Sequence, residues 1–537
     1  MAVPWLRVLG AERYPAFQES EGMAFRQPLE LLLGLRLFQP GEAVDPDGHL
    51  LIARMHRLVQ DLMRQKTAAE ELATMQKAVD ALITERDAAL EKTTDWTTAR
   101  WELEPLTALA RLWDETKHSR AAWLMNQVGQ RWDTLAKWGQ AEPLMRRALE
   151  IWEKSLGLDH PNVSSALNNL ARLLQDTNRL AEAEPLYRRA LEIDERSYGP
   201  DHPQVAICLN NLAGLLKDTN RLAEAEPLHR RALQIDENSY GREHPEVTTD
   251  LNSLAVLLNA TNRLAEAEPL LRRVMAIFEN NDPDRQSNYA GALNNLAQLL
   301  KATNRLAEAE PLMRRALEIN ERNFGPDHPD VAMNLHNLAL LLKDTNRLAE
   351  AEPLMRRALA IRENSLGLDH PTVASALNSI AMLLKDTNRL AEAEPLLRRA
   401  LQIDENSYGP EHPNVAIRLN NLATLLQATN RQAEAEPLMR RALQIDENSY
   451  GHEHPMVALR LNNLAKMLQD TNRLAEAEPL MRRALEILLK FTRTTGHPHP
   501  YIQTFINNYG GLLNVMGRSQ EQILATLRAM ALGFSGE

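Results

Sequence analysis

Cysteine is almost absent: Cys208 is the single one in 537 residues. An intramolecular disulfide is excluded, and a reducing, cytoplasmic setting is expected. Tryptophan is missing after residue 152, although eight occur up to that point, so the first quarter of the chain differs in kind from the rest. No stretch approaches the roughly 18 apolar residues that span a bilayer. The opening "MAVPWLRVLG" lacks the charged segment and apolar run of a signal peptide. Positive charge is in deficit, 61 Lys and Arg against 72 Asp and Glu for a net charge of −11. That balance lacks a basic footprint and argues against nucleic acid as ligand. There is no G-x-x-x-x-G-K-[ST], H-E-x-x-H, G-x-S-x-G or C-x-x-C. With no catalytic constellation, the chain is read as a non-enzyme that needs neither cofactor nor metal.

What is present is repetition. "TNRLAEAEPLMRRALEI" occupies 303–319 and returns letter for letter at 471–487. The proline of "AEP" recurs from Pro143 to Pro479 in steps of 42 residues. A fixed period of this size in a chain too long for one core signals a solenoid. Each unit has two helical parts. In "HPNVSSALNNLARLLQD" (160–176), Leu167, Leu170, Ala171 and Leu174 recur at i, i+3, i+4, i+7. Pro161 fits the first turn, with Asp159 or His160 as cap. In "AEAEPLYRRALEIDERSYG" (181–199), Ala183, Leu186, Tyr187, Ala190 and Leu191 share a face. Acids lead and bases follow, in accord with the helix dipole. Between the parts, "TNR" breaks the helix, and Asn178 and its equivalents suit a left-handed closing residue. The internal proline is placed at about the fourth helical position, where its missing N–H costs little. Neither helix can bury its apolar face alone, so neighbours must stack.

This pattern resembles the tetratricopeptide repeat. The 42-residue period and "ALNNLARLL…AEAEPLYRRALEI" are similar to the longer variety of kinesin light chains. The resemblance implies an all-α, right-handed superhelical array of about ten repeats over 122–537. Its ends are atypical: 122–163 carries tryptophans in place of leucines. The unit 499–530 has lost AEP, gained three residues, and has Gln522 where Ala183 would stand. Both look like capping units. Inside the array, Ser287 replaces the His-Pro proline, and a kink or altered loop is expected there.

Ahead of the array, "LELLLGLRLFQPGEAVDPDGHLLIARMHRLVQDLMRQK" (29–66) reads helix, strand, turn, strand, helix. It resembles the winged-helix segment of STAND-type (NB-ARC-like) signalling ATPases, which places a winged-helix-like segment at 1–66 and a helical spacer at 67–121. The nucleotide-binding half of such proteins has no counterpart. The chain is therefore either the sensor arm of such a protein or a descendant without the ATPase.

Comparison among the repeats singles out one face. Residues 165, 168, 172 and 175 lie on the arc beside the buried one, and the resemblance implies that this arc lines a concave groove. Position 172 varies freely: Arg172, Val256, Gln298, Met382 and Lys466 are among its occupants. Beside it runs a constant, Asn168, Asn210, Asn252, Asn294, Asn378, Asn420 and Asn462, interrupted by His336. A second column follows: Asn169, Asn211, Asn295, Asn337, Asn421 and Asn463, with Ser253 and Ser379 as substitutes. An amide both donates and accepts, which suits a peptide backbone. One asparagine of each pair is expected to face ligand, as Asn210, and the other to bond between helices, as Asn211. Recurrent histidines before proline, such as His160 and His202, read as caps. The paired arginines read as an inter-repeat face.

These features predict a protein- or peptide-binding scaffold, with no membrane partner. Three settings stay open: the ligand-sensing half of a STAND-type switch with a nucleotide-binding partner, a free-standing adaptor, and a winged-helix transcription regulator.

Overall fold

A computed structural model describes residues 38–40, 53–55, 69–280 and 287–533. They fall into two compact units, 1–151 and 152–537. In the first, strands Phe38–Pro40 and Ala53–Met55 pair antiparallel. The helices expected to flank them lie outside the described residues, as does the rest of the winged-helix segment. Residues 69–115 are largely helical (Ala69–Lys92, Trp96–Ala99, Leu103–Glu115), and Ala121–Thr134 with Trp138–Leu156 form the first pair of repeat helices.

In the second unit, first helices Pro161–Asp176, Pro203–Asp218, Val247–Ala260, Ser287–Ala302, Pro329–Asp344, Pro371–Asp386, Pro413–Ala428 and Pro455–Asp470 alternate with second helices. The second helices are Leu180–Tyr198, Leu222–Tyr240, Leu264–Glu279, Leu306–Phe324, Leu348–Leu366, Leu390–Tyr408, Gln432–Tyr450 and Leu474–Thr495. Ile502–Val515 and Gln520–Gly533 close the series.

Each recurring letter has a physical task. His160 is the N-cap: its Nδ1 accepts from the Asn162 N–H at 3.1 Å. His202, His328, His370, His412 and His454 do the same, and the ring of His202 stacks on Tyr198 at 4.8 Å. Asn178 and its seven equivalents to Asn472 take φ of 58–60°, the left-handed turn between helices. Ala171 and Ala183 are fully buried, so the two helices pack closely.

The arginines stitch repeat to repeat. Glu184 receives Arg188 of its own helix at 2.6 Å and Arg221 of the next unit at 2.7 Å. The same triangle recurs at Glu226, Glu310, Glu352, Glu394 and Glu436. Arg473 holds the Glu436 carboxyl below the usual range against partial burial. The second arginine of the pair also reaches back, as Arg357 to Glu321 at 2.6 Å. Each exposed pair is worth about 0–1 kcal/mol; their value lies in fixing one stacking register.

The proline differs from its expected place. The second helix starts at Leu180, so Pro185 is its sixth residue, inside the helix. Its missing N–H deprives the Ala181 carbonyl of a partner. Residues 181 and 185 are both exposed, so water serves that carbonyl and the helix runs on. At the irregular unit, the second helix stops at Glu279 and the next begins at Ser287. The intervening 281–286, with any kink there, lie outside the described residues.

The last pair seals the stack with Phe505, Tyr509, Leu512 and Leu513, all buried. Gln522, which replaces the expected alanine, forms a capping box: Ser519 N–H donates to Gln522 Oε1 at 3.0 Å, and Gln522 N–H to Ser519 Oγ at 3.2 Å.

Within 152–537 the array winds far enough to meet itself. Asn262 donates to the carbonyl of Pro498 at 3.1 Å. The His412 side chain bonds the backbone of Asp176. Turns Thr177–Asn178 and segment 408–412 wall a shared recess.

Candidate functional site

Successive first helices lie side by side, tied by bonds across 43 residues. Gln175 donates to Asp218 at 2.6 Å, Gln427 to Asp470 at 2.7 Å, and Lys343 pairs with Asp386 at 2.9 Å. The asparagines run along the same seam. Asn211 donates to Asn168 Oδ1 at 3.3 Å, Asn295 to Asn252 at 3.0 Å, Asn421 to Asn378 at 2.8 Å and Asn463 to Asn420 at 3.0 Å. After the three-residue insertion Asn508 does the same to Asn462 at 2.9 Å. The second asparagine of one repeat thus donates to the first asparagine of the preceding repeat.

Where the ladder forms, both asparagines of the bond are structural by one atom. The division expected between residues falls between atoms instead. Asn252, Asn378, Asn420 and Asn462 use Oδ1 in the ladder, and their amide N–H groups have no protein partner among the described residues. Asn295, Asn421 and Asn463 use their N–H and keep Oδ1.

Other first-column asparagines are engaged within the protein or buried. Asn210 donates its amide N–H to Asp250, and its Oδ1 accepts from His229 Nδ1–H at 2.7 Å. Asn294 is buried and donates to Asn334 Oδ1 at 2.6 Å, and Asn334 in turn to the Ala316 carbonyl at 2.9 Å. Asn168 is also used at both ends: besides accepting from Asn211 it donates to Ser164 O at 3.2 Å and Cys208 Sγ at 3.1 Å. Asn169 and Asn337 are half-buried at the same level. His336 is held neutral: burial, with Arg362 and Lys301 near, lowers its pKa to about 4.

The variable positions line the same face. Ile207, Val256 and Met333 expose 51%, 47% and 43% of their surface, high for apolar residues of a packed helix. Arg172 and Lys466 are exposed; Gln298 and Met382 are half-buried. Toward the C-terminal repeats the face deepens into a recess of about 490 Å³, lined by Lys385, Thr424, Gln427, Ala428, Met439, Asn463, Lys466 and Asp470. At earlier repeats a lysine at the position of Lys385 meets an aspartate 43 residues on, as Lys301 meets Asp344 at 2.8 Å. The counterpart for Lys385 is Ala428, and among the described residues neither Lys385 nor Lys466 pairs with an acid.

The sequence reading passed over a second column, one residue along, at 166 and every 42 thereafter. Its members are buried, and the polar ones meet the preceding second helix. Cys208 donates to Asp194 at 3.0 Å, Arg418 to Asp404 at 2.8 Å and Arg460 to Asp446 at 2.8 Å. At one junction the pair is two acids, Asp236 and Asp250, both buried. The signal was readable: the two columns change together, Cys with Asp, Asp with Asp, Asn with Asn, Arg with Asp.

The model of the tetratricopeptide repeat matches at 134–196, 166–238, 209–280, 288–364, 372–448 and 433–490. Most of the chain is covered, and the protein belongs to the tetratricopeptide-repeat family. No curated protein matches it. Among solved structures it is similar to a putative kinesin light chain of Podosopora anserina with nearly identical TPR-like repeats, at 23% identity over 38% of this chain and 98% of that one, TM-score 0.34. It is similar to BtubC (BKLC) from P. vanneervenii at 21% identity, over 46% of this chain and 92% of that one, TM-score 0.35. A Rap protein complexed with competence and sporulation factor matches at 14% identity, over 70% of this chain and 99% of that one, TM-score 0.44. No helix among the described residues is long and apolar enough to cross a membrane.

Proposed function

We propose that this protein is an interaction scaffold whose first-helix face holds an extended segment of another protein. The observation that carries this reading is the contrast on that face. Half-used amides at Asn252, Asn378, Asn420 and Asn462 run beside positions where Ile207, Val256, Met333 and Lys466 differ from repeat to repeat. Constant donors and acceptors suit main chain, which is the same in every ligand; the variable side chains suit selection among ligands. Lys385 and Lys466, two ammonium groups that pair with no acid among the described residues, outnumber the one carboxylate of the recess, Asp470, which Gln427 holds, and favour a segment bearing carboxylates.

A photo-crosslinking residue placed at Val256 or Met333 should capture a partner. The same residue at Arg314, exposed on a second helix, should not. Equal capture from both faces would remove the first-helix face from the account.

The finer setting is the sensor arm of a STAND-type switch acting with a nucleotide-binding partner. The paired strands Phe38–Pro40 and Ala53–Met55, where a wing is expected, support that setting over a free-standing adaptor. A P-loop ATPase encoded beside this chain and binding it would test the idea; an adaptor would pull down no such partner.

A further inference from the structure

The array makes one contact with itself that it is built to make again. Where it winds back, the turns Thr177–Asn178, Asn220–Ala223 and Asn262 of early repeats cover the loops 408–412, 453 and 498 of late ones. Burial follows. Asn178, Asn220 and Asn262 are half-buried, whereas the same asparagine is exposed at 304, 346, 388, 430 and 472. On the opposite edge, Tyr408 and Tyr450 are half-buried, whereas Tyr198, Tyr240 and Phe324 are 42%, 43% and 41% exposed.

The letters on the open edges are those of the closed seam. "DTNR" at 176–179 sits against "SYGPEHP" at 407–413. "DTNR" stands uncovered at 386–389, and "SYGPDHP" uncovered at 197–203. One edge of the array therefore displays unoccupied turns, and the other displays unoccupied loops that fit them.

We infer that a second copy of this chain docks on these edges, turns to loops, so that the self-contact of one array continues head to tail into the next. The occupant follows from the seam, which already shows this pair of surfaces in contact. The two edges are different surfaces, so the interface is heterologous; it leaves a free edge at each end and grows an open chain of copies rather than a closed dimer.

The test uses the full chain in sedimentation velocity over rising concentration. One variant carries Tyr198→Asp with Tyr240→Asp on the loop edge. The other carries Ala391→Arg with Ala433→Arg on the turn edge, at exposed residues. Neither pair touches the internal seam; helical dichroism should match the parent in both, melting should match in the turn-edge variant, and the loop-edge variant should melt only slightly lower for loss of the stacking on His202 and His244. The parent should form a ladder of growing species. Each variant alone should be monomeric, and the two mixed should give one complex of two chains and nothing larger, since each retains one intact edge. A parent that stays monomeric into the high micromolar range would overturn the inference. So would a mixture of the two variants that forms no complex, or association that survives in both.

Discussion

Asn463 donates its side-chain amide to Asn420, forty-three residues earlier on the neighbouring helix, at 3.0 Å. The same bond joins Asn421 to Asn378 at 2.8 Å. This contact ties neighbouring first helices and, at Asn378, Asn420 and Asn462, leaves the amide N–H of the accepting residue without a protein partner among the described residues.

Removing the donor tests the structural half of this relationship. Asn463→Ala should cost about 1 kcal/mol of stability, read as a lower midpoint in urea. Asn210→Ala should cost more, roughly 1–3 kcal/mol, because Asp250 and His229 lose a buried partner. It should leave ligand affinity unchanged, since both ends of Asn210 are already used within the protein.

The junction at Asp236 and Asp250 should weaken as pH rises. Burial raises the pKa of Asp250 to about 7, helped by Asp236 and Glu237 and opposed by the bond from Asn210. Asp236 is raised too, by burial and by Glu246. His229, bonded to Asn210, is lowered to about 4 by burial and by Lys217, so it supplies no positive charge near neutrality. A carboxyl with a raised folded pKa contributes its stability in full below the unfolded value, near 4, and loses it as pH climbs toward 7. Asp250→Asn should therefore melt higher than the parent at pH 8, with the gap closing by pH 5. A gap that is the same at both values would contradict this account of the pair.

At the equivalent place four repeats later the pair is ionic. Arg418 meets Asp404 at 2.8 Å, with side chains 7% and 0% exposed, and also donates to Ser375 Oγ at 2.8 Å. Arg418→Ala strands a buried carboxylate and should cost on the order of 3–5 kcal/mol. Arg418→Met with Asp404→Leu should recover most of that loss, because the charge and its desolvation leave together. Urea midpoints of the single and double variants decide it.

The C-terminal pair should act as a lid. Deleting 500–537 uncovers Leu488 and Phe491, now buried, and should lower the melting temperature and cause aggregation. Deleting 534–537 should do neither. Ser519→Ala breaks the capping box and should cost about 1 kcal/mol.

Much of the fold was legible because its determinants are local and repeated. The left-handed turn at Asn178, the first-turn Pro161 and the buried Ala171 and Ala183 each follow from spacing and residue type, and eight copies removed the ambiguity that one would leave. The proline was misplaced because helix starts are weakly marked: Arg179 precedes the second helix and makes no side-chain cap. The site was legible only as a face. That Asn210 is consumed by His229 and Asp250 depends on three helices meeting, and no periodicity on one helix reports that. The pairing of Arg418 with Asp404 was hidden for the same reason, although the two columns change together along the chain.

The most direct test of the central claim is the fluorescence anisotropy of labelled extended peptides, an Asp- and Glu-bearing set beside the same set with Asn and Gln. The acidic set should bind, and the amide set should bind roughly tenfold or more weakly, since a charge-assisted bond is worth about 1.5–3 kcal/mol. Lys385→Ala with Lys466→Ala should erase the difference while melting stays unchanged. Equal affinity for the two sets, or a preference that survives the lysine variant, would contradict a carboxylate-bearing segment held on the first-helix face.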